Sequence, residues 1–232
     1  VLSVHAYYIL KNRFVEQSKK AFGVILVIAA ISSLAQLLTG HSSASGVAEN
    51  QPAKLAAFEG HYDSLAVADM YLFGWVNETE QTVTGIKIPK GLTFLIHQDF
   101  TTPVKGLNAF NKNDRPAMVN FIFQTYHLMI SIGMLLIGLT LFSLFLLWKG
   151  KLFNKRWLMI LFSFSVVLPQ IVNQVGWYSA EVGRQPWVVY NLLRTSDALS
   201  ENVRSGQVVF SLFLFTMVYV ILFSLFIYLL NT

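Results

Sequence analysis

Four stretches of this chain carry no Asp, Glu, Lys or Arg: Ala21–Leu38, Pro116–Trp148, Trp157–Ala180 and Ser205–Thr232, of 18, 33, 24 and 28 residues. An apolar run of about 18 residues or more is the length at which a helix crosses the hydrocarbon core of a bilayer. Together these runs hold 103 of the 232 residues, and all 29 charges crowd into the segments between them. A chain that is 54% hydrophobic and 12% charged is too apolar for a disordered tail and too poor in charge for an ordinary soluble domain. The absence of cysteine excludes a disulfide framework, an iron–sulfur cluster and a C-x-x-C-H haem attachment within this chain. The expected fold is an all-α polytopic membrane protein: a transmembrane helix bundle of four full helices plus the end of a fifth, with a partly structured extracytoplasmic loop. Residues Val1–Leu10 have no initiator Met and no signal-peptide pattern, and they read as the last turns of a helix that starts upstream. The chain is therefore expected to be the C-terminal part of a longer polypeptide.

Charge placement predicts the orientation. The link before Ala21 (Lys11, Arg13, Glu16, Lys19, Lys20) and the link after Trp148 (Lys149, Lys151, Lys155, Arg156) together carry +7. Residues 40–115 carry −2, and the segment after Ala180 is balanced. Crossing parity puts the two basic links on one side, and the positive-inside rule makes that side the cytoplasm. Residues 40–115 and 181–204 then lie outside. The pI of 9.4 follows from these two links, and no basic patch interleaved with aromatics suggests a nucleic-acid partner.

The segments expected are 1–39, the end of one helix and one full helix; 40–115, the outer loop; and 116–232, three helices. A connection of 76 residues is longer than ordinary loops, which points to function or disorder. Within it, Gln51–Glu59 suits a short helix, with Pro52 in the first turn and alanines behind it. Tyr71–Val76 and Val83–Ile88 read as two strands around the polar turn Asn77–Glu80.

Polar residues inside apolar runs are costly and therefore informative. The 33-residue run is about 50 Å long as a helix, against a hydrocarbon core of about 30 Å. Its first dozen residues, including Asn120, Gln124 and His127, must sit at or beyond the outer interface, with Met129 just inside it. In the next run Pro169, Asn173 and Gln174 precede Trp177 and Glu181 at the outer boundary. Met129 and Glu181 thus share a depth, and a thioether and a carboxylate there can serve two metal centres. The plainer readings stand beside this one. A transmembrane Met is usually a gap-filler, a Glu at a helix end is usually hydrated, and Trp177 and Trp187 suit an interfacial aromatic belt.

Glu181-Val-Gly-Arg-Gln-Pro-Trp187 resembles the E-x-G-R-Q-P-W signature of subunit I of the cytochrome bd quinol oxidases. Lys54-Leu-Ala-Ala-Phe-Glu59 is similar to the K-L-A-A-x-E element of that family's quinol loop, and Thr102-Pro-Val-Lys-Gly-Leu107 to its exit. Trp177 stands four residues before the glutamate, as in the family. The resemblance extends over essentially the whole chain and implies the C-terminal half of subunit I.

The resemblance implies that Met129 ligates a low-spin b haem and that Glu181 is associated with the iron of a high-spin b haem. A thioether favours ferrous iron and raises its potential, as suits a haem that receives electrons. Arg184 would pair with haem propionates through its forked donors, and Trp177 and Trp187 would pack against macrocycles. Lys54 and Glu59 would bind and oxidise quinol, Glu59 as a general base and Lys54 as a donor to a quinone oxygen. Their spacing of five residues sets them about 140° apart on a helix, so they are not an i,i+4 surface pair. Many relatives carry an arginine where this chain has His127. The loop after Glu59 resembles the short-loop members. The histidine ligands of the low-spin haem and of haem d belong to the family's N-terminal half; His5, His41, His61 and His97 match none of them.

As a whole, the resemblance implies a quinol:oxygen oxidoreductase with two b-type haems and haem d in a prokaryotic cytoplasmic membrane. Quinol would be oxidised outside and dioxygen reduced to water, contributing to a proton-motive force. Expected partners are the N-terminal half of the same subunit, a second large membrane subunit, a small single-helix subunit and membrane lipid. The alternative is a non-catalytic polytopic membrane protein, a transporter or scaffold subunit; transporters usually show broken helices in repeated halves, and no internal repeat is present here.

Overall fold

A computed structural model describes residues 1–64, 67–200 and 202–231. Leu65, Ala66, Glu201 and Thr232, which fall in the outer loop, the 181–204 segment and the last apolar run, lie outside the described residues. Three helices are each long and apolar enough to cross a membrane: α2 (Val15–Asn50), α5 (Val119–Trp148) and α8 (Ser205–Asn231). A short α1 (Leu2–Leu10) precedes them. The expected helix over 157–180 is instead two, α6 (Arg156–Phe164) and α7 (Leu168–Arg184), bent by 42°. Pro169 explains the break. Its ring lacks an N–H and collides with the carbonyl four residues back, so it is tolerated only in the first turn of α7. Ser165 closes the end of α6 by donating its hydroxyl to the Phe162 carbonyl at 2.8 Å. Among the described residues there are therefore three unbroken helices of spanning length and one bent pair.

Helix α2 also outruns its apolar stretch. Residues 40–50, expected as the start of the loop, continue the helix. Thr39, Ser45 and Asn50 turn their side chains back onto the carbonyls of Ala35, His41 and Gly46, so these polar groups are satisfied within the helix itself. At 36 residues α2 is about 54 Å long, and its last turns project beyond the apolar part.

The loop contains the expected elements. Helix α3 (Pro52–Phe58) starts at its proline, and strands β1 (Met70–Asn77) and β2 (Thr82–Ile88) pair antiparallel, with a register shift between Tyr71 and Phe73. Asn77 closes the turn by accepting from the amides of Thr79 and Glu80. Helix α4 (Gly91–His97) follows. A second hairpin, β3 (Trp187–Val189) with β4 (Leu193–Arg194), was not anticipated. It is pinned to the segment that leads into α5 by an Arg194–Asp114 ion pair, and the Arg194 guanidinium lies 4.6 Å over the Trp187 ring.

Two cores result. At the basic-link end, Phe22 and Leu26 of α2 pack with Leu139 and Leu146 of α5 and Leu158 and Phe162 of α6. At the loop end, Ala56, Ala57 and Phe58 of α3 pack with Val76 of β1 and Ile122 and Phe123 of α5. The polar residues of the first turns of α5 complete this loop-end core. Asn120 accepts from the Val76 amide (3.1 Å), Gln124 donates to the Gly74 carbonyl (2.7 Å), and His127 Nε2 meets the Tyr71 carbonyl (2.8 Å). One face of the helix thus takes the place of a third strand along β1.

Candidate functional site

Helix α3 is the centre of the site because it is small where it must pass. Ala53, Ala56 and Ala57 are buried, and Phe58 stacks on Tyr126 of α5 at 4.4 Å and 9°. On the other side, α7 presents Gly183, where an added Cβ would lie 3.1 Å from Phe58 and 3.4 Å from Lys54. Glycine therefore suits the close approach of α3 and α7, where a larger residue would make Phe58 shift.

Glu59 follows the last turn of α3. Its residue is 4% exposed, and its Oε2 has no hydrogen-bond partner. Burial raises its carboxyl to about 8. His127 stands close by, its Nε2 4.0 Å from Glu59 Oε2. That ring is already committed: Nδ1 meets the Phe123 carbonyl at 2.9 Å and Nε2 the Tyr71 carbonyl. Glu59 opens instead onto a cavity shared with His41 and Ser45 of α2, Tyr126 of α5, and Leu92 and Leu95 of α4.

Lys54 looks the other way. Its ammonium lies 5.6 Å from the Phe58 ring centre and near Arg184 and Glu181, in a second cleft with Gln51, Trp187 and Tyr190. Burial lowers its pKa, the Arg184 charge lowers it further, and Glu181 opposes both. The roughly 140° between Lys54 and Glu59 thus places them in separate clefts on either side of α3.

The remaining residues cluster along α7. Glu181 and Arg184, one turn apart, form an ion pair, each half-exposed. The Arg184 Nε and the Trp187 indole N–H are both buried without an acceptor. Trp177 is exposed. Met129 faces α7 rather than lipid: a Cβ added at Gly176 would lie 2.8 Å from its sulfur. Glu181 is five residues further along α7, about 7.5 Å of rise. These groups suit an acidic macrocycle: a thioether turned into the α5–α7 contact, a carboxylate on the open side of α7, and two buried donors lacking acceptors. Among the described residues no group of three or more His, Cys, Asp or Glu forms a metal cluster, and a haem held by one or two axial side chains needs none.

The structure thus joins Met129 to the α7 group, joins Lys54 to Glu181 and Arg184, and sets His127 beside Glu59. Sequence reasoning did not find His41 and Tyr126 as neighbours of Glu59. A stacking aromatic three residues before Met129, and a histidine on a helix extension, carry no motif that would single them out.

The family model for cytochrome bd terminal oxidase subunit I matches residues 1–232. The chain belongs to this family. A Bacillus subtilis (strain 168) protein provisionally named cytochrome bd menaquinol oxidase subunit I is 37% identical over 238 residues, covering 99% of this chain and 52% of that protein. The cytochrome bd ubiquinol oxidase subunit 1 of the same organism is 31% identical, covering 99% and 51%. The bd oxidase structure from Geobacillus thermodenitrificans superposes with a TM-score of 0.82 at 31% identity, over 96% of this chain and 50% of that one. The chain spans about half the length of the curated relatives it matches. The helical membrane bundle read from the apolar runs is the architecture of this cytochrome bd subunit.

Proposed function

We propose that this chain forms part of a bd-type respiratory terminal oxidase, a quinol:oxygen oxidoreductase of the prokaryotic cytoplasmic membrane. The observation that carries the reading is Glu59, a buried carboxyl whose Oε2 lacks a hydrogen-bond partner, at the end of a loop helix packed directly against the helix that bears Met129. The +7 on the basic links supports placing that loop outside.

In this reading Glu59 accepts a proton from a quinol hydroxyl as the ring loses its electron pair, and it releases that proton on the outer side. A base poised near neutrality suits the task. Lys54 contributes positive charge between Phe58 and the Glu181–Arg184 pair. Met129 and Glu181 would hold the irons of the two b haems, and the Arg184 Nε and Trp187 indole would donate to propionates. His127 positions β1 and lies two residues from Met129; Trp177 would pack against a macrocycle. The haems, including haem d, supply the electron transfer and the reduction of dioxygen to water. Uptake of protons for that water from the cytoplasm contributes to the proton-motive force. The rest of the subunit, a second large membrane subunit and a small single-helix subunit complete the assembly.

A reduced-minus-oxidised visible spectrum of the purified complex tests the reading. Bands of b- and d-type haem are expected; their absence would leave a transporter or scaffold. The packing of α3 gives a sharper check. Gly183→Leu would press on Phe58 and Lys54, and overpacking of this kind costs about 1–3 kcal/mol. A raised KM for quinol is the expected result, with the haem bands recorded alongside to show whether the Glu181–Arg184 turn is disturbed as well. Wild-type kinetics would disconnect α3 from quinol.

A further inference from the structure

The hairpin of β1 and β2 is apolar on both faces, and only one face is covered. Gly74, Val76 and Val83 turn toward the loop-end core around Phe123. Side chains alternate along a strand, so the opposite face carries the pairs Met70–Ile88, Phe73–Ile86 and Trp75–Thr84. Phe73, Trp75 and Ile86 there are 59%, 64% and 65% exposed. This outer face is graded along its length. Toward the turn it becomes polar, with Thr84, Thr82, Asn77, Glu78 and Glu80. At the other end Lys87 and Lys90 stand against a single acid, Asp69, which accepts from the Lys87 ammonium at 2.6 Å and from the Lys90 amide at 2.9 Å. Apolar bulk and positive charge thus gather at one end of the ribbon and two carboxylates at the other.

The hydrogen bonds to α5 set the depth of each end. Met129–Trp148 makes about 30 Å of helix, the thickness of a hydrocarbon core. Counted outward from Met129, His127 stands about 3 Å above that boundary, Gln124 about 7.5 Å and Asn120 about 13.5 Å. His127 meets Tyr71, Gln124 meets Gly74 and Asn120 meets Val76. Glu78 of the turn reaches further out and accepts from the Asn120 amide at 2.8 Å. The headgroup layer is about 5–8 Å thick on each side of a bilayer. Met70, Phe73, Ile86 and Ile88 therefore fall within that layer or at its edge, Trp75 at its rim and the acidic turn in the water beyond. Just below them α5 exposes Leu128 and Ile130.

A protein cover calls for a patch that is apolar throughout, whereas a patch graded from apolar to acidic over this distance follows the polarity of a lipid leaflet. We propose that the outer face of this hairpin is a membrane anchor, seated on the phospholipid surface of the outer leaflet. Phe73, Ile86 and Ile88 rest among the headgroups, and the Trp75 indole lies at the water boundary, as interfacial aromatics do. Lys87 and Lys90 extend apolar stems along this surface and hold their ammonium groups beside lipid phosphates. The anchor goes beyond the oxidase reading and rests only on the loop lying outside.

The test uses the assembled oxidase in phospholipid vesicles. This chain has no cysteine of its own, so Ile88→Cys, Ile86→Cys and Thr82→Cys can each carry a nitroxide label, with the unsubstituted complex as background and the haem bands as the check on assembly. Collisions with dissolved oxygen report lipid, and collisions with a water-soluble nickel chelate report water. Oxygen should dominate at Ile88 and the chelate at Thr82, with Ile86 between them. Chelate-dominated signals at all three positions would put the ribbon in water and overturn the anchor. Low collision rates with both reagents at Ile88 and Ile86 would mean that protein covers the face, and would overturn it equally. The outer placement fails separately, if a membrane-impermeant thiol reagent reaches Thr82→Cys only from the cytoplasmic side.

Discussion

Met129→Leu is expected to erase the low-spin b haem signal completely while the other haem bands persist. Leucine nearly matches methionine in volume, and such exchanges usually cost less than about 1.5 kcal/mol. The α5–α7 contact at Gly176, where the sulfur now lies, should therefore survive. What disappears is the thioether lone pair, the only feature of this side chain that an iron can use. Reduced-minus-oxidised spectra of the purified complex give the answer, and an unchanged low-spin b band would remove Met129 as a ligand. Because leucine fills the same space, a lost band cannot be charged to collapse of the helix pair.

Glu59→Gln should slow quinol oxidation by about 10²–10⁴-fold, the usual contribution of a positioned acid–base group, with all haem bands intact. Its pH signature is equally specific. In the native protein the carboxyl titrates at about 8 because burial opposes its charge, so kcat/KM should climb with pH until that point; in the glutamine variant this limb is absent. The stability linkage has the opposite sense. The folded carboxyl holds its proton more tightly than the unfolded one, whose ordinary value is 4.5. Stability is therefore complete below the unfolded value and declines as pH rises through about 8. Glu59→Gln should flatten that decline, seen as a Tm less sensitive to pH. The groups facing Glu59 are His127 and Tyr126 on α5 and His41 on α2. A wild-type pH profile in the variant would return Glu59 to a structural role.

Much of this architecture could be read in advance, for physical reasons that differ by element. The spans were legible because a bilayer demands long uncharged runs, and the hairpin because alternating β-formers flank a polar turn that Asn77 closes. The extension of α2 was not, since Gly40–Gly46, rich in Gly and Ser, has poor helix propensity, yet the helix runs on through it to Asn50. Pro169 was visible as an interruption, although the 42° bend was not. In the site, Asn120, Gln124 and His127 stood out as polar residues at the end of an apolar run. Their partners are backbone groups of β1 some 44 to 56 residues away in sequence, which no local pattern encodes. Likewise Lys54 and Glu59 were recognised as a pair from their motif, yet they face different clefts because α3 runs between α5 and α7.

The side chains that bind β1 to α5 have a further effect. A two-stranded ribbon ordinarily exposes two unsatisfied margins, each able to recruit a foreign extended chain. Here the amide of Val76 and the carbonyls of Gly74 and Tyr71 are already occupied, so α5 takes up part of one margin. The margin of β2 is left more open, and there Lys87 places a charge held by Asp69. The same three residues that seat the loop therefore also guard it against self-association, and replacing them with aliphatics would expose a sticky border on the surface of the complex.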